Sequence, residues 1–434
     1  MPLQIAHFSD LHYADETLAE VDRCFGHAID EAITRGADVA VITGDTTDHA
    51  LNAHSPAFLA LARRIKHLAD HCPVLLLQGT LSHEPPGLLA MLAMIGANHP
   101  IHYSNHLEQV VLTNTGSWLP SQNWQFASPP KDACLLCTCI PTLNKADLAT
   151  AVGAADAAQA MGDHLARVLA GYAQGHLKAR GCGIPVVALS HGTVHGCMTE
   201  HGVPMAGSDH EFTSGTLFAA EATAVMLGHI HKHQTWSHAG RLIAYAGSIG
   251  RLHYGEEGDK GFVFWDVGAD HADLCLIPTP ARHTLDISFD APPDMARLKE
   301  FVKEHSLEDT WVRVRWQVLE EDCTQVDRAG IEQLLSGAAG IKLEGRVLPI
   351  TRARAAGIAR ERTLSRQIER WAEMTGTDSR ETLSCLELLE HRHPEDIAAG
   401  ILHRVESERS YDETLPAPNA LPGQQIAGPR TIVA

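Results

Sequence analysis

The residues of this sequence that could do chemistry sit in five short polar clusters. They are Ser9-Asp10-Leu11-His12, Gly44-Asp45-Thr46-Thr47-Asp48-His49, Gly79-Thr80-Leu81-Ser82-His83-Glu84, Ser190-His191-Gly192 and Gly228-His229-Ile230-His231. Aspartate and histidine dominate them, and none contains a cysteine. Mixed carboxylate and imidazole donors suit manganese, iron or zinc better than calcium or a thiolate-loving ion. Asp10, His12, Asp45, His191, His229 and His231 are six ligand-type residues, too many for one tetrahedral ion. They suit two ions sharing one carboxylate, and Asp45 is the natural bridge. Two ions about 3.5–4 Å apart can hold a hydroxide between them and stabilise an in-line displacement at phosphorus.

Each cluster follows an apolar run. Ile5 to Phe8, Val39 to Thr43, Val74 to Leu77, Ile184 to Leu189 and Thr223 to Leu227 read as strands covered on both faces. Leu18 to Arg35 and Pro56 to Ala69 carry apolar residues at helical spacing between the first three. The order β-α-β-α-β is that of a layered α/β domain, in which ligands bind beyond the carboxyl ends of the strands. The five clusters should therefore converge. Prolines punctuate the chain after about residue 278. A smaller unit follows, with a strand from Trp311 to Trp316, a helix near Asp327 to Leu335 and a strand near Gly345 to Ile350. Leu364, Ile368 and Trp371, then Leu383, Leu386 and Leu389, mark helices between residues 364 and 405. The tail beyond is rich in proline and poor in large apolar residues, as in disordered segments.

In order and spacing, the five clusters resemble the signature of the calcineurin-like metallophosphoesterases. The segment Ala246-Gly247-Ser248-Ile249, with Leu252 to Glu256 and Lys260-Gly261-Phe262, narrows the resemblance to the SbcD-like DNA nuclease subunits. The resemblance implies a four-layer α/β/β/α sandwich (residues 1–282), a small α+β capping domain (283–350) and a helical segment (351–405) that docks on an SbcC-like ATPase; composition makes residues 406–434 the disordered tail. It implies that Asp10, His12 and His231 hold one metal, His191 and His229 the other, and that Asp45 bridges them. It makes His83 the imidazole that assists the leaving oxygen, with Glu84 orienting it. The cofactors would be two divalent ions, manganese by family habit. The activity would be 3′-to-5′ exonuclease plus endonuclease on DNA, carried out by a homodimer. One element departs from the family: the usual Gly-Asn-His is replaced by a longer stretch without asparagine, leaving Ser82, Thr80 or a water to stand where the carboxamide would bind.

Composition frames these expectations. With 34 basic and 53 acidic residues the net charge is −19, which excludes a uniformly basic nucleic-acid coat. A DNA substrate needs a local patch instead. Arg313 and Arg315 alternate with Val312 and Val314, so both point to one strand face. Between Lys342 and Arg370, eight basic residues, Arg352 and Arg354 among them, outnumber three acidic ones. No apolar run approaches the roughly 20 residues of a membrane helix. The first ten residues lack signal-peptide character, so a cytoplasmic location with reduced thiols is expected. Cys134, Cys137 and Cys139 lie in an apolar run and read as a buried strand rather than a zinc site. Two other functions fit the same residues. One is a phosphodiesterase or phosphatase for small substrates. The other is a DNA-binding scaffold with a degenerate second metal site.

Overall fold

The structure, a computed structural model, describes residues 2–52, 54–142, 157–205, 212–349 and 357–412. The chain divides into two units, Met1–Leu348 and Pro349–Ala434. In the first, strands β1 (Leu3–Phe8), β2 (Val39–Thr43), β3 (Val74–Leu77) and β4 (Ile101–Ser104) run parallel. Antiparallel β12 (Gly261–Val267) and β13 (Ala272–Pro278) extend them into a six-stranded sheet. A seven-stranded sheet holds β5 (Glu108–Thr113), β6 (Trp118–Pro120), β7 (Ala133–Ile140), β8 (Val186–His191), β9 (Ala224–Gly228), β10 (Gln234–His238) and β11 (Arg241–Tyr245) in the order β10-β11-β9-β8-β7-β5-β6.

Side-chain alternation builds the layers. Val39, Val41, Leu75 and Leu77 point toward Leu135, Cys137, Cys139, Val187 and Leu189 of the second sheet, forming the core between sheets. The alternate residues Ala40, Ile42, Val74 and Leu76 pack under helices α1 (Leu18–Thr34) and α2 (Pro56–Ala69). On the far side, Leu136, Val186 and Ala188 meet Leu165 and Leu169 of the helix α4 (Ala157–Gly181). A short helix α3 (Leu88–Ala93) leads to β4, and α5 (Ser214–Ala219) precedes β9. The result is the four-layer α/β/β/α sandwich expected. The cysteine-rich run is β7, and its cysteines are free thiols; Cys137 and Cys139, two residues apart, share the inter-sheet face.

The segment expected as a cap is a parallel three-stranded sheet, β14 (His283–Phe289), β15 (Thr310–Leu319) and β16 (Gly340–Leu348), with helices α6 (Met295–Glu304) and α7 (Arg328–Leu334) as crossovers, and it belongs to the first unit. Val312, Val314, Trp316 and Val318 bury one face of β15 against Leu298, Ile331 and Leu335. The last strand starts five residues before Gly345, at Gly340. Its Lys342, Glu344 and Arg346 carry little strand signal because β16 lies at the sheet edge, with much of its surface in water.

The second unit contains α8 (Leu364–Thr375), α9 (Arg380–His391) and α10 (Pro394–Asp412). Thr363 and Gly376 cap α8 at its two ends. The last helix continues past Val405, where the tail was expected to begin; residues 413–434 lie outside the described residues. No helix among the described residues is long and apolar enough to cross a membrane.

Candidate metal centre

Strands β1, β2 and β3 end beside β8 and β9 of the facing sheet, and the five clusters follow these ends. The loops are stitched by backbone. The amides of Asp10, His12 and Tyr13 donate to the carbonyls of Gly44, Asp45 and Thr46 at 3.0–3.1 Å. Close approach explains the glycines that precede the acidic and imidazole residues. A Cβ on Gly44 would lie 2.4 Å from His191 Nδ1, and one on Gly228 would lie 2.1 Å from the Thr43 carbonyl oxygen. Seven non-glycine residues among those described have left-handed φ, and four of them are Asp10, His12, Asp45 and His229. Such backbone costs about 1–3 kcal/mol per residue and gathers at functional sites.

Two sets of ligand-type side chains result: Asp10, His12 and His231, and Asp45, His191 and His229. Within each set the donor atoms lie within 4.8 Å of one another. Asp45 joins the sets. Its Oδ2 is 3.3 Å from His191 Nε2 and 4.0 Å from His12 Nε2. His191 Nδ1 meets the Thr43 carbonyl at 2.7 Å, leaving Nε2 turned to Asp45. The His229 amide donates to both Asp10 carboxylate oxygens at 3.1 Å. His12 Nε2 and His231 Nε2 face each other at 3.1 Å, and His231 Nδ1 is buried without a hydrogen-bond partner. All six predicted ligands therefore meet in one place.

Burial pushes the Asp45 carboxyl up, but His191, His12 and His83 outweigh it and hold it well below the usual range. Burial drives His231 well below an ordinary imidazole, reinforced by His12 and Lys260. Burial opposes charge on His191 and His12 as well, but Asp45 and Asp10 lift His191 to about 10 and neighbouring aspartates hold His12 above an ordinary imidazole. Carboxylates and imidazoles with no thiolate fit divalent ions of borderline hardness.

A third set, His12, Asp48 and His83, borders the first. Asp48 Oδ1 is 3.5 Å from His12 Nδ1 and its carboxyl is lowered to about 2, chiefly by that histidine. The His83 ring stands edge-on to His12 at 5.0 Å between centroids, partly exposed. Glu84 departs from the expectation that it orients His83. Its fully buried carboxylate accepts from the Thr46 amide at 2.7 Å, the Thr46 hydroxyl at 2.6 Å and the Gly79 amide at 2.5 Å. His83 Nδ1 has no hydrogen-bond partner. Glu84 thus ties the β2 loop to the β3 loop, because three donors converge where the chain turns back, and the ring is left to the open side of the centre.

The sequence reading gave no role to the pair Glu256 and Lys260. The Lys260 ammonium is buried, 2.5 Å from Glu256 and 2.9 Å from the His231 carbonyl oxygen, to which it donates. It braces the loop that carries His231. A charged pair four residues apart just before an apolar strand was the only trace of it in the sequence.

The predicted DNA contacts divide. Arg313 and Arg315 share a face of β15, as the alternation required, yet both grip Asp286. Their Nη2 atoms lie 2.8 and 2.7 Å from it. Arg313 also lies over the Tyr254 ring at 5.0 Å. Arg352 and Arg354 lie outside the described residues.

No protein-family model matches the chain, and no curated protein does. Among solved structures, it is similar to an anchor protein in the inner membrane complex of Plasmodium, at 12% identity over 64% of this chain and 85% of that one, TM-score 0.41. It is also similar to a dimetal phosphatase from Danio rerio, at 11% identity over 64% and 99% of the two chains, TM-score 0.36. Another is a conserved protein from Streptococcus pneumoniae described as a predicted phosphoesterase, at 11% identity over 64% and 99% of the two chains, TM-score 0.21. Likeness at this level assigns no activity. What the chain itself displays is an α/β/β/α sandwich whose strand ends bring two carboxylates and four imidazoles into two adjoining ligand sets.

Proposed function

We propose that this chain is a two-metal phosphodiesterase acting on DNA, an SbcD-like nuclease of the calcineurin-like metallophosphoesterases. The observation that carries the reading is Asp45, whose Oδ2 stands between the two ligand sets. Asp10, His12 and His231 would hold one ion and His191 and His229 the other, with Asp45 shared. When bound, such ions supply Lewis acidity toward phosphorus and acidify a water. The protein's own groups do the rest. Asp10 and Asp45 set the charge, the Thr43 carbonyl orients His191, and His83 at the open edge stabilises or protonates the departing oxygen.

The capping sheet and its arginines support a long polyanionic substrate, degraded 3′ to 5′ and cut internally. Manganese is the proposed ion, a homodimer the proposed assembly and the cytoplasm the proposed location. An SbcC-like ATPase is the proposed partner, received by the helices in which Leu388, Leu389, Ile401 and Leu402 stand exposed. One observation favours a smaller substrate: Asp286 offsets the charge of Arg313 and Arg315.

The test compares a labelled linear duplex with bis(4-nitrophenyl) phosphate in Mn²⁺, using the native chain, His83→Ala and Asp45→Ala. Duplex degradation lost in both variants is the expected result, with about a 10²- to 10⁴-fold drop for His83→Ala. Turnover of the small ester alone would favour the smaller substrate. Inactivity on both would overturn the enzyme reading.

A further inference from the structure

We propose that the Thr80 hydroxyl is itself a ligand of the ion held by Asp45, His191 and His229. This rests on the two-ion reading above. The sequence left Ser82, Thr80 and water as equal alternatives, and the tertiary structure separates them. Thr80 follows Gly79 directly after β3. A Cβ on Gly79 would lie 2.4 Å from both the amide nitrogen and Oδ1 of Asp45, so the chain passes against that residue. The Thr80 amide donates to Asp45 Oδ1 at 2.6 Å. Its hydroxyl lies 3.2 Å from Asp45 Oδ2 and 3.4 Å from His191 Nε2, the two donor atoms that themselves stand 3.3 Å apart. A hydroxyl within reach of two donors of one set borders the point on which that set converges. Ser82 is exposed.

The neighbouring hydroxyls are committed elsewhere. That of Thr46 donates to Glu84, that of Thr47 to the His83 carbonyl and that of Thr142 to the His191 carbonyl. Thr80 Oγ1 keeps lone pairs to give. Without a cation its proton goes to Asp45 Oδ2. With one, rotation about the Cβ–Oγ bond turns a lone pair toward the ion and moves only a hydrogen. The backbone bond to Asp45 persists throughout. A neutral hydroxyl is a weak donor, so the two ions are held unequally, the one at Asp45, His191 and His229 more loosely.

The test is metal binding by the full chain, followed by calorimetry and by Mn²⁺ paramagnetic resonance. The native chain is expected to take up two Mn²⁺ in distinguishable steps. Thr80→Val should weaken the looser step about 10- to 100-fold, the range for groups supporting a metal site, and leave the tighter one unchanged. Thr80→Ser should restore it, and Ser82→Ala should match the native chain. Thr80→Cys with Cd²⁺ should show a thiolate-to-cadmium charge-transfer band beyond that of the native chain's own free cysteines, which a merely structural residue would not produce. This last reading stands even if Thr80→Val fails to fold. An unaltered second step in a folded Thr80→Val chain, or a cysteine variant whose band does not exceed the native chain's while Cd²⁺ binds, would overturn the proposal alone. A native chain that takes up no second ion would overturn the two-ion reading with it.

Discussion

His12 and His231 face each other Nε2 to Nε2 at 3.1 Å across the mouth of the first ligand set. Two imidazole nitrogens at that distance share one proton. Burial opposes charge on His12, but Asp48, Asp45 and Asp10 together raise it above an ordinary imidazole, while burial and His12 lower His231. A cation must displace the shared proton, so metal binding should release protons and weaken as pH falls. Mn²⁺ calorimetry at neutral pH in buffers of different ionisation enthalpy measures this directly. Identical apparent enthalpies in all buffers would contradict it.

Glu84 serves architecture. An amide there would set its NH₂ against a site built from the Thr46 and Gly79 donors. Glu84→Gln should therefore cost about 1–3 kcal/mol of stability, the range for an unsatisfied buried polar group. His83→Ala, whose ring makes no such bonds, should melt within a degree or two of the native chain. Thermal unfolding of the two apo variants decides; equal melting temperatures would return Glu84 to the role of an orienting partner of His83.

His7 makes the fold acid-sensitive. Burial lowers its pKa to about 3, helped by His233, while Thr43 Oγ1 holds the ring at 2.8 Å. The unfolded chain takes up a proton first, so His7 draws stability down as pH falls from about 6.5 toward about 3 and contributes nothing to the pH dependence above that window. In metal-free buffer, His7→Gln should lose less of its melting temperature between pH 7.5 and pH 5 than the native chain does. Parallel declines would show that His7 is not the group responsible.

Asp286 offsets positive charge on the sheet of β14, β15 and β16. Asp286→Asn would leave the Arg313 and Arg315 guanidiniums free of their shared carboxylate. Affinity for duplex DNA should rise. The plot of log affinity against log salt should steepen by about one to two units, since each phosphate contact adds about 0.9. Fluorescence anisotropy across a salt series reads it; an unchanged slope would place the DNA path away from β15.

The legible part of this protein was local. Near-continuous apolar runs marked β1, β2, β3, β8 and β9, because strands buried on both faces leave no polar alternation. Apolar spacing set the bounds of α2 to the residue. Polar edges blurred the bounds of β16: the strand expected near Gly345 to Ile350 starts at Gly340, because Lys342 and Glu344 are made strand by pairing with β15 and not by their own side chains.

Residue types and order determined which six side chains could ligate a metal, since Asp and His after a buried strand have few other uses in such number. Proximity came only from the tertiary structure. It set Thr80 rather than Ser82 beside Asp45, because the backbone passes Gly79 against that carboxylate. It turned Glu84 from His83 to the Thr46 and Gly79 donors, and it gave Arg313 and Arg315 one shared counter-charge in Asp286. In each case a deciding partner lies in another loop or strand, and spacing along a chain carries no information about a partner met through space.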